Sequence, residues 1–150
     1  MSNRIPAGRR IERVQTAVHR PQALVVASDR VSGTLVALLN GLGFGSCQVG
    51  CVRTALEALG QGKAGEKPPF RVVVSELNLP ARSEGLDVAR WLLLHARDTR
   101  MVIVAETTPF IPWMSPLARI PIVRRPIDPQ CLLPHLPPAR DLIAAATAAD

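Results

Sequence analysis

The sequence alternates short, continuous apolar runs with segments whose apolar residues recur at helical spacing. The clearest runs cover residues 23–27, 71–75 and 101–105, and none of them alternates apolar with polar residues. Continuous apolar runs of this length are typical of strands that are buried on both faces. Because a helical pattern follows each run, the sequence predicts an α/β fold with a parallel sheet covered on both sides.

Two weaker runs complete a pattern of five strands. They cover residues 46–52 and 120–123, and Pro121 predicts that the last strand lies at a sheet edge. Helices are predicted from Val31 to the stop at 41–43, over 55–59 up to Gly60, over 83–97 as the longest, and from the Asp128-Pro129 pair onward. This order predicts a doubly wound, flavodoxin-like sheet with strand order 2-1-3-4-5.

The chain is long enough for one domain with a single core. Residues 1–21 are predicted to be a basic, flexible arm, residues 22–136 the folded domain, and residues 137–150 an Ala-rich tail. In a sheet of this order the functional crevice lies at the carboxyl ends of strands 1, 3 and 4. Those ends are residues 27–29, Glu76 and residues 105–107.

The charge of the chain favours acidic partners. Sixteen arginines and two lysines give a net charge of +6 and a pI of about 10.5. A genome with a biased base composition would explain the arginine excess equally well. Three Phe, two Trp and no Tyr supply few stacking platforms, and no helix-turn-helix follows the basic arm, so the sequence argues against a nucleic-acid partner.

Other features exclude further classes of protein or site. No apolar run is long enough to span a membrane, and no secretory signal is recognisable at the start of the chain. Three cysteines are too few for a disulfide framework, which predicts a reducing, cytoplasmic location. Cys47 and Cys51 would share one face of a strand, and we expect buried thiols there and no metal site.

Four segments, in the right order, resemble the receiver domain of bacterial response regulators over about residues 22–136. The third strand and its loop (72–80) resemble the family's Asp-x-x-x-Pro segment, and residues 23–29 resemble its first strand and acidic turn. Residues 85–90 are similar to the start of its third helix, and residues 123–128 are similar to its Lys-Pro-Phe-Asp segment.

The resemblance implies a phosphorylation pocket in which each functional position has changed. The family transfers a phosphoryl group to an aspartate, with a Mg²⁺ ion held by acidic residues. The corresponding pocket positions here are Ala27, Ser28, Asp29, Glu76, Glu106, Thr107 and Arg125. Ala27 and Ser28 replace the two acidic residues, and Asp29 follows one residue later. Glu76 replaces the phosphoacceptor.

Glu106 replaces the hydroxyl residue after strand 4, with Thr107 beside it, and Arg125 replaces the lysine. We interpret the chain as a pseudo-receiver that is not an enzyme and has no catalytic residue, no metal and no cofactor. An ion pair between Glu76 and Arg125 is predicted to cross the former pocket. The alternative of a phosphorylatable response regulator with an atypical pocket stays open.

The predicted function is phosphorylation-independent signalling through a protein partner, which could be acidic or a kinase or another regulator. Trp113, Arg119, Arg124 and Arg125 are the predicted interaction surface, although Trp113 could equally cover the core. The main alternative is a cyclic di-GMP effector, because guanidinium groups suit guanine edges and phosphates. A homodimer is also left open.

Overall fold

A computed structural model describes residues 20–60, 69–79 and 84–137 of the chain. Within them, five parallel strands form one sheet in the order β2-β1-β3-β4-β5, which confirms the predicted fold class and strand order. The strands are β1 (Gln22–Val26), β2 (Gly45–Val49), β3 (Phe70–Glu76), β4 (Arg100–Ala105) and β5 (Ile122–Arg124). The predicted arm and tail fall almost wholly outside the described residues.

Four α-helices and two 3₁₀ turns connect the described strands or follow them. The helices are α1 (Asp29–Gly41), α2 (Val52–Ala58), α3 (Gly85–His95) and α4 (Pro129–Leu132), and the 3₁₀ turns are Pro116–Arg119 and Leu133–His135. Helix α1 has 13 residues and α3 has 11, so the prediction that the helix at 83–97 is the longest is wrong. Ala96 leaves helical geometry at φ −151°, ψ 64°, and the Arg97 Nε–H donates instead to the Leu93 carbonyl.

The sheet separates two apolar layers, as the continuous runs predict. Leu24 and Val26 of β1 pack on one side against α2, α3 and the first 3₁₀ turn, whereas Ala23 and Val25 pack on the other side against α1 and α4. Each large side chain buried in these layers stabilises the fold by about 1.5–3 kcal/mol. Because both faces of the sheet are covered by apolar side chains, a polar functional site is expected at the ends of the strands.

The helix ends follow the glycine and capping signals of the sequence. Gly43 and Gly60 follow α1 and α2 with φ of 103° and 98°, a conformation that favours glycine. At the start of α4, the Asp128 carboxylate accepts a hydrogen bond from the Gln130 N–H at 2.9 Å, with Pro129 in the first turn.

Strand β5 lies at the edge of the sheet, as Pro121 predicts, but begins two residues later than expected. Pro121 has no N–H, and only its carbonyl joins β4, where it accepts from the Ile103 N–H at 2.9 Å. The second strand also ends earlier than predicted. Cys51 therefore caps α2 outside the strand, Cys47 is exposed, and the expectation of two buried thiols on one strand face is wrong.

Candidate functional site

The carboxyl ends of β1, β3 and β4 meet at one edge of the sheet. Val26 pairs with Ser75, and Glu76 pairs with Val104, so the residues that follow these strands share one small region. Glu76 is the last residue of β3 and is 7% exposed. Its Oε1 accepts a hydrogen bond from the Ser28 backbone N–H at 2.6 Å. A buried carboxylate is thus held in place by the main chain that follows β1.

Arg125 brings a cation to this carboxylate. Its Nη1 lies 3.7 Å from Glu76 Oε2, and its Nη2 donates to Glu106 Oε2 at 3.0 Å. The backbone N–H of Arg125 donates to the Ala105 carbonyl, which fixes the residue beyond the end of β5. Glu106 is largely exposed, so its ion pair with Arg125 stabilises the fold little. Glu76 is buried, and its charge would destabilise the fold if the cation were removed.

The other residues predicted for the pocket take different places. Ala27 is fully buried, and its N–H donates to the Val49 carbonyl at 3.0 Å. Ser28 contributes a backbone N–H. Asp29 is the first residue of α1, and its side chain lies outside the described part of the chain. Thr107 is exposed after β4. The structure therefore brings together Glu76, Glu106, Arg125 and the main chain of Ser28.

Two contributors to this edge carry no clear sequence signal. The Gln48 side chain donates to the Ala27 carbonyl at 3.3 Å, and the buried Ser75 hydroxyl donates to the Glu76 carbonyl at 2.9 Å. Both hydrogen bonds hold the main chain next to the Glu76 carboxylate in place. Among the described residues, no three His, Cys, Asp or Glu side chains form a group that could hold a metal ion.

The residues of the predicted interaction surface do not form one cluster. Trp113 is 85% exposed, which fits a surface contact better than a lid on the core. Arg119 ends the 3₁₀ turn before β5, whereas Arg124 ends β5 and Arg125 follows it. Arg119 therefore lies toward the amino end of the strand, and the other two arginines lie toward its carboxyl end.

The surroundings of Cys51 make its thiol more acidic. A hydrogen bond between its sulfur and the Thr54 hydroxyl, at 3.3 Å, lowers the pKa of the Cys51 thiol, and the Thr54 backbone N–H adds to the effect. Burial of the sulfur opposes this shift only in part. The lower pKa raises the fraction of Cys51 that is thiolate at neutral pH, and the thiolate is the reactive form of the side chain.

We expect Thr54→Val to raise the pKa of Cys51 and to slow its alkylation by iodoacetamide several-fold at neutral pH. The difference should shrink as the pH rises, because the thiolate then dominates in both proteins. Mass spectrometry of the Cys51 peptide against time gives the rate, and Thr54→Ser, which keeps the hydroxyl, is the control. Equal rates for Thr54→Val and the parent protein would refute this account of the pKa.

Solved structures with this fold include several bacterial receiver domains. A CheY-like response regulator receiver domain from Methylobacillus flagellatus is 25% identical, with a TM-score of 0.60 over 77% of this chain and 94% of that chain. A response regulator from Burkholderia pseudomallei with a phosphorylated aspartic acid, a calcium ion and citrate is 20% identical, with a TM-score of 0.61 over 86% of this chain and 74% of that one.

The signal receiver domain of an HD domain-containing protein from Pseudomonas fluorescens Pf-5 is 21% identical, with a TM-score of 0.61 over 84% of this chain and 98% of that one. The sequence matches no protein-family model and no curated protein. Within the described residues, no helix is both long and apolar enough to cross a membrane. The receiver fold, which the four sequence segments predict, is confirmed.

Proposed function

We propose, from the premise that this chain has the fold of response regulator receiver domains, that it acts in signal transduction by binding another protein without being phosphorylated. The receiver fold itself implies a role in signalling. The proposal that it signals without phosphorylation is argued from the edge of the sheet where a receiver domain would accept its phosphoryl group.

The observation that carries the proposal is the environment of Glu76. One carboxylate oxygen accepts the Ser28 N–H at 2.6 Å, and the other lies 3.7 Å from Arg125 Nη1. Its side chain is only 10% exposed. An incoming phosphoryl donor would have to displace these partners and would meet the Glu106 carboxylate, which repels a phosphate.

The residues described at this edge do not fit a magnesium ion. Mg²⁺ binds hard oxygen ligands at short octahedral distances, usually with one or two carboxylates. The position after β1 offers the buried methyl group of Ala27, and Ser28 is neutral. The guanidinium of Arg125 already lies beside Glu76, and it would repel a divalent cation placed there. Phosphoryl transfer is therefore not part of the proposed function.

Charge and exposed apolar side chains support a protein as the binding partner. The net charge of +6 favours an acidic partner, and the exposed apolar side chains Trp113 and Met114 lie on one segment between β4 and β5. Aromatic and methionine side chains are enriched in protein interfaces.

The proposal predicts no response to phosphorylation chemistry. In ¹H–¹⁵N NMR spectra of the full chain, Mg²⁺ with beryllofluoride or acetyl phosphate should not shift the amide signals of Ser28, Glu76 or Arg125. The reason is that Ala27 and Ser28 offer no carboxylate to Mg²⁺ and that the Arg125 guanidinium repels the ion. A receiver domain with an intact pocket, in the same buffer, is the positive control. Saturable shifts at the carboxyl ends of β1, β3 and β4 would contradict the proposal.

A further inference from the structure

The connection between β4 and β5 contains no α-helix. Parallel strands are usually joined by a helix that packs on the sheet. Here residues 106–121 contain only the four-residue 3₁₀ turn Pro116–Arg119, because prolines at 109, 112, 116 and 121 interrupt any longer helix. Only Leu117 of this turn is buried against the core.

A groove of about 1230 Å³ lies between α3 and this connection. It includes Arg100 and Met101 at the start of β4 and Pro121 before β5, so it lies at the amino end of these strands. Glu76 pairs with Val104, three to four residues beyond Met101 and Arg100, so it lies roughly 10–13 Å away along the strand direction. The groove is therefore separate from the carboxylate edge.

Several large apolar side chains on the walls of the groove are exposed and accessible to a ligand. Leu94 of α3 is 76% exposed, and Trp113 and Met114 on the opposite wall are 85% and 76% exposed. Exposed large apolar side chains that line one concave surface are typical of protein interaction sites.

The rim of the groove is basic. Four arginines line it, and none of the described lining residues is acidic; the arginines are Arg90, Arg97, Arg100 and Arg119. Arg90 forms an ion pair with Asp87 at 2.7 Å. The Arg97 side chain bends back onto the Leu93 carbonyl at 3.0 Å, so its charge is held at the end of α3. A ligand in the groove thus meets an apolar floor and a positive border.

We propose that this groove binds an acidic amphipathic segment of a partner protein, with apolar side chains against Trp113, Met114 and Leu94 and carboxylates against the arginines. The proposal deepens the proposed function, because it names the binding surface and the chemistry of the partner. The concave shape suits a helix or an extended segment, as in helix-in-groove recognition. Charge complementarity selects acidic segments over basic ones.

The test uses the full chain and two labelled helical peptides, each with leucines on one face. The first peptide carries glutamates on its other face, and the second carries lysines at the same positions. Fluorescence anisotropy should show binding of the glutamate peptide only. Trp113→Ala should weaken it at least about tenfold, the loss expected for an interface anchor. Arg119→Glu should weaken it as well and should improve binding of the lysine peptide.

Matched controls separate the groove from general stickiness. Phe110→Ala removes an aromatic side chain that is 89% exposed on the same connection but does not line the groove, and Arg53→Glu reverses an exposed charge on α2. Neither change should alter binding of the glutamate peptide by more than about twofold.

Several results would overturn the proposal. These are equal binding of both peptides, no effect of Trp113→Ala, binding of anionic vesicles in preference to the glutamate peptide, or NMR contacts that show the groove filled by residues 138–150 or by a second copy. The outcome is independent of the beryllofluoride experiment. Shifts at Glu76 would refute phosphorylation-independent signalling but would not affect the proposal for the groove. Failed peptide binding would refute the proposal for the groove but would not affect phosphorylation-independent signalling.

Discussion

Replacing Gly85 by alanine is expected to lower the free energy of unfolding by at least about 2 kcal/mol. Gly85 opens α3, and its N–H donates to the Leu77 carbonyl at 2.7 Å. A Cβ atom at this position would overlap the Glu76 carbonyl oxygen and would lie 3.0 Å from both Leu77 Cα and the Leu77 carbonyl oxygen. These are backbone atoms at the end of β3, so neither side can move without shifting the helix or the strand.

Gly33→Ala is the matched control. Gly33 lies on an exposed face of α1, and a Cβ atom there would meet no atom within 4 Å. Alanine should stabilise this helix by about 0.5–1 kcal/mol, because it loses less conformational freedom than glycine. Urea unfolding followed by circular dichroism measures both. Similar stability changes in the two variants would show that α3 does not approach β3 as closely as described.

Arg125→Ala should lower the free energy of unfolding by about 1–3 kcal/mol, because it leaves the Glu76 carboxylate buried without its cation. The loss stays below that of a fully buried ion pair, since Arg125 is 31% exposed and its Nη1 lies 3.7 Å from Glu76. The Ser28 N–H also remains to stabilise the carboxylate. Urea unfolding gives the value.

A double-mutant cycle separates this pairing from lost packing. In a Glu76→Gln background there is no buried charge to leave uncompensated, and Arg125→Ala should then cost less than about 1 kcal/mol. Arg124→Ala, which removes the exposed arginine next in sequence, should change stability by no more than about 0.5 kcal/mol. An equal cost of Arg125→Ala in both backgrounds would mean that the ion pair does not stabilise Glu76.

The sequence predicts the site less completely than the fold. The end of the apolar run at residues 71–75 identifies Glu76 as a candidate, and the resemblance to receiver domains adds Arg125. Cys51 shows the limit of such reasoning: a spacing of four residues on a strand predicts a shared buried face, but the strand ends at Val49 and Cys51 caps the next helix. Strand ends depend on pairing with neighbours, which local patterns do not contain.

The sequence by itself determined the five strands, their order, and the glycine and Asp128 signals at the helix ends. These follow from burial patterns and backbone preferences of neighbouring residues. Only the tertiary structure decided that the Ser28 N–H and Arg125 converge on Glu76, that Gly85 lies against the end of β3, and that the connection before β5 leaves a basic-rimmed apolar groove. Such contacts join residues far apart in the chain, and their geometry depends on how helices pack on the twisted sheet.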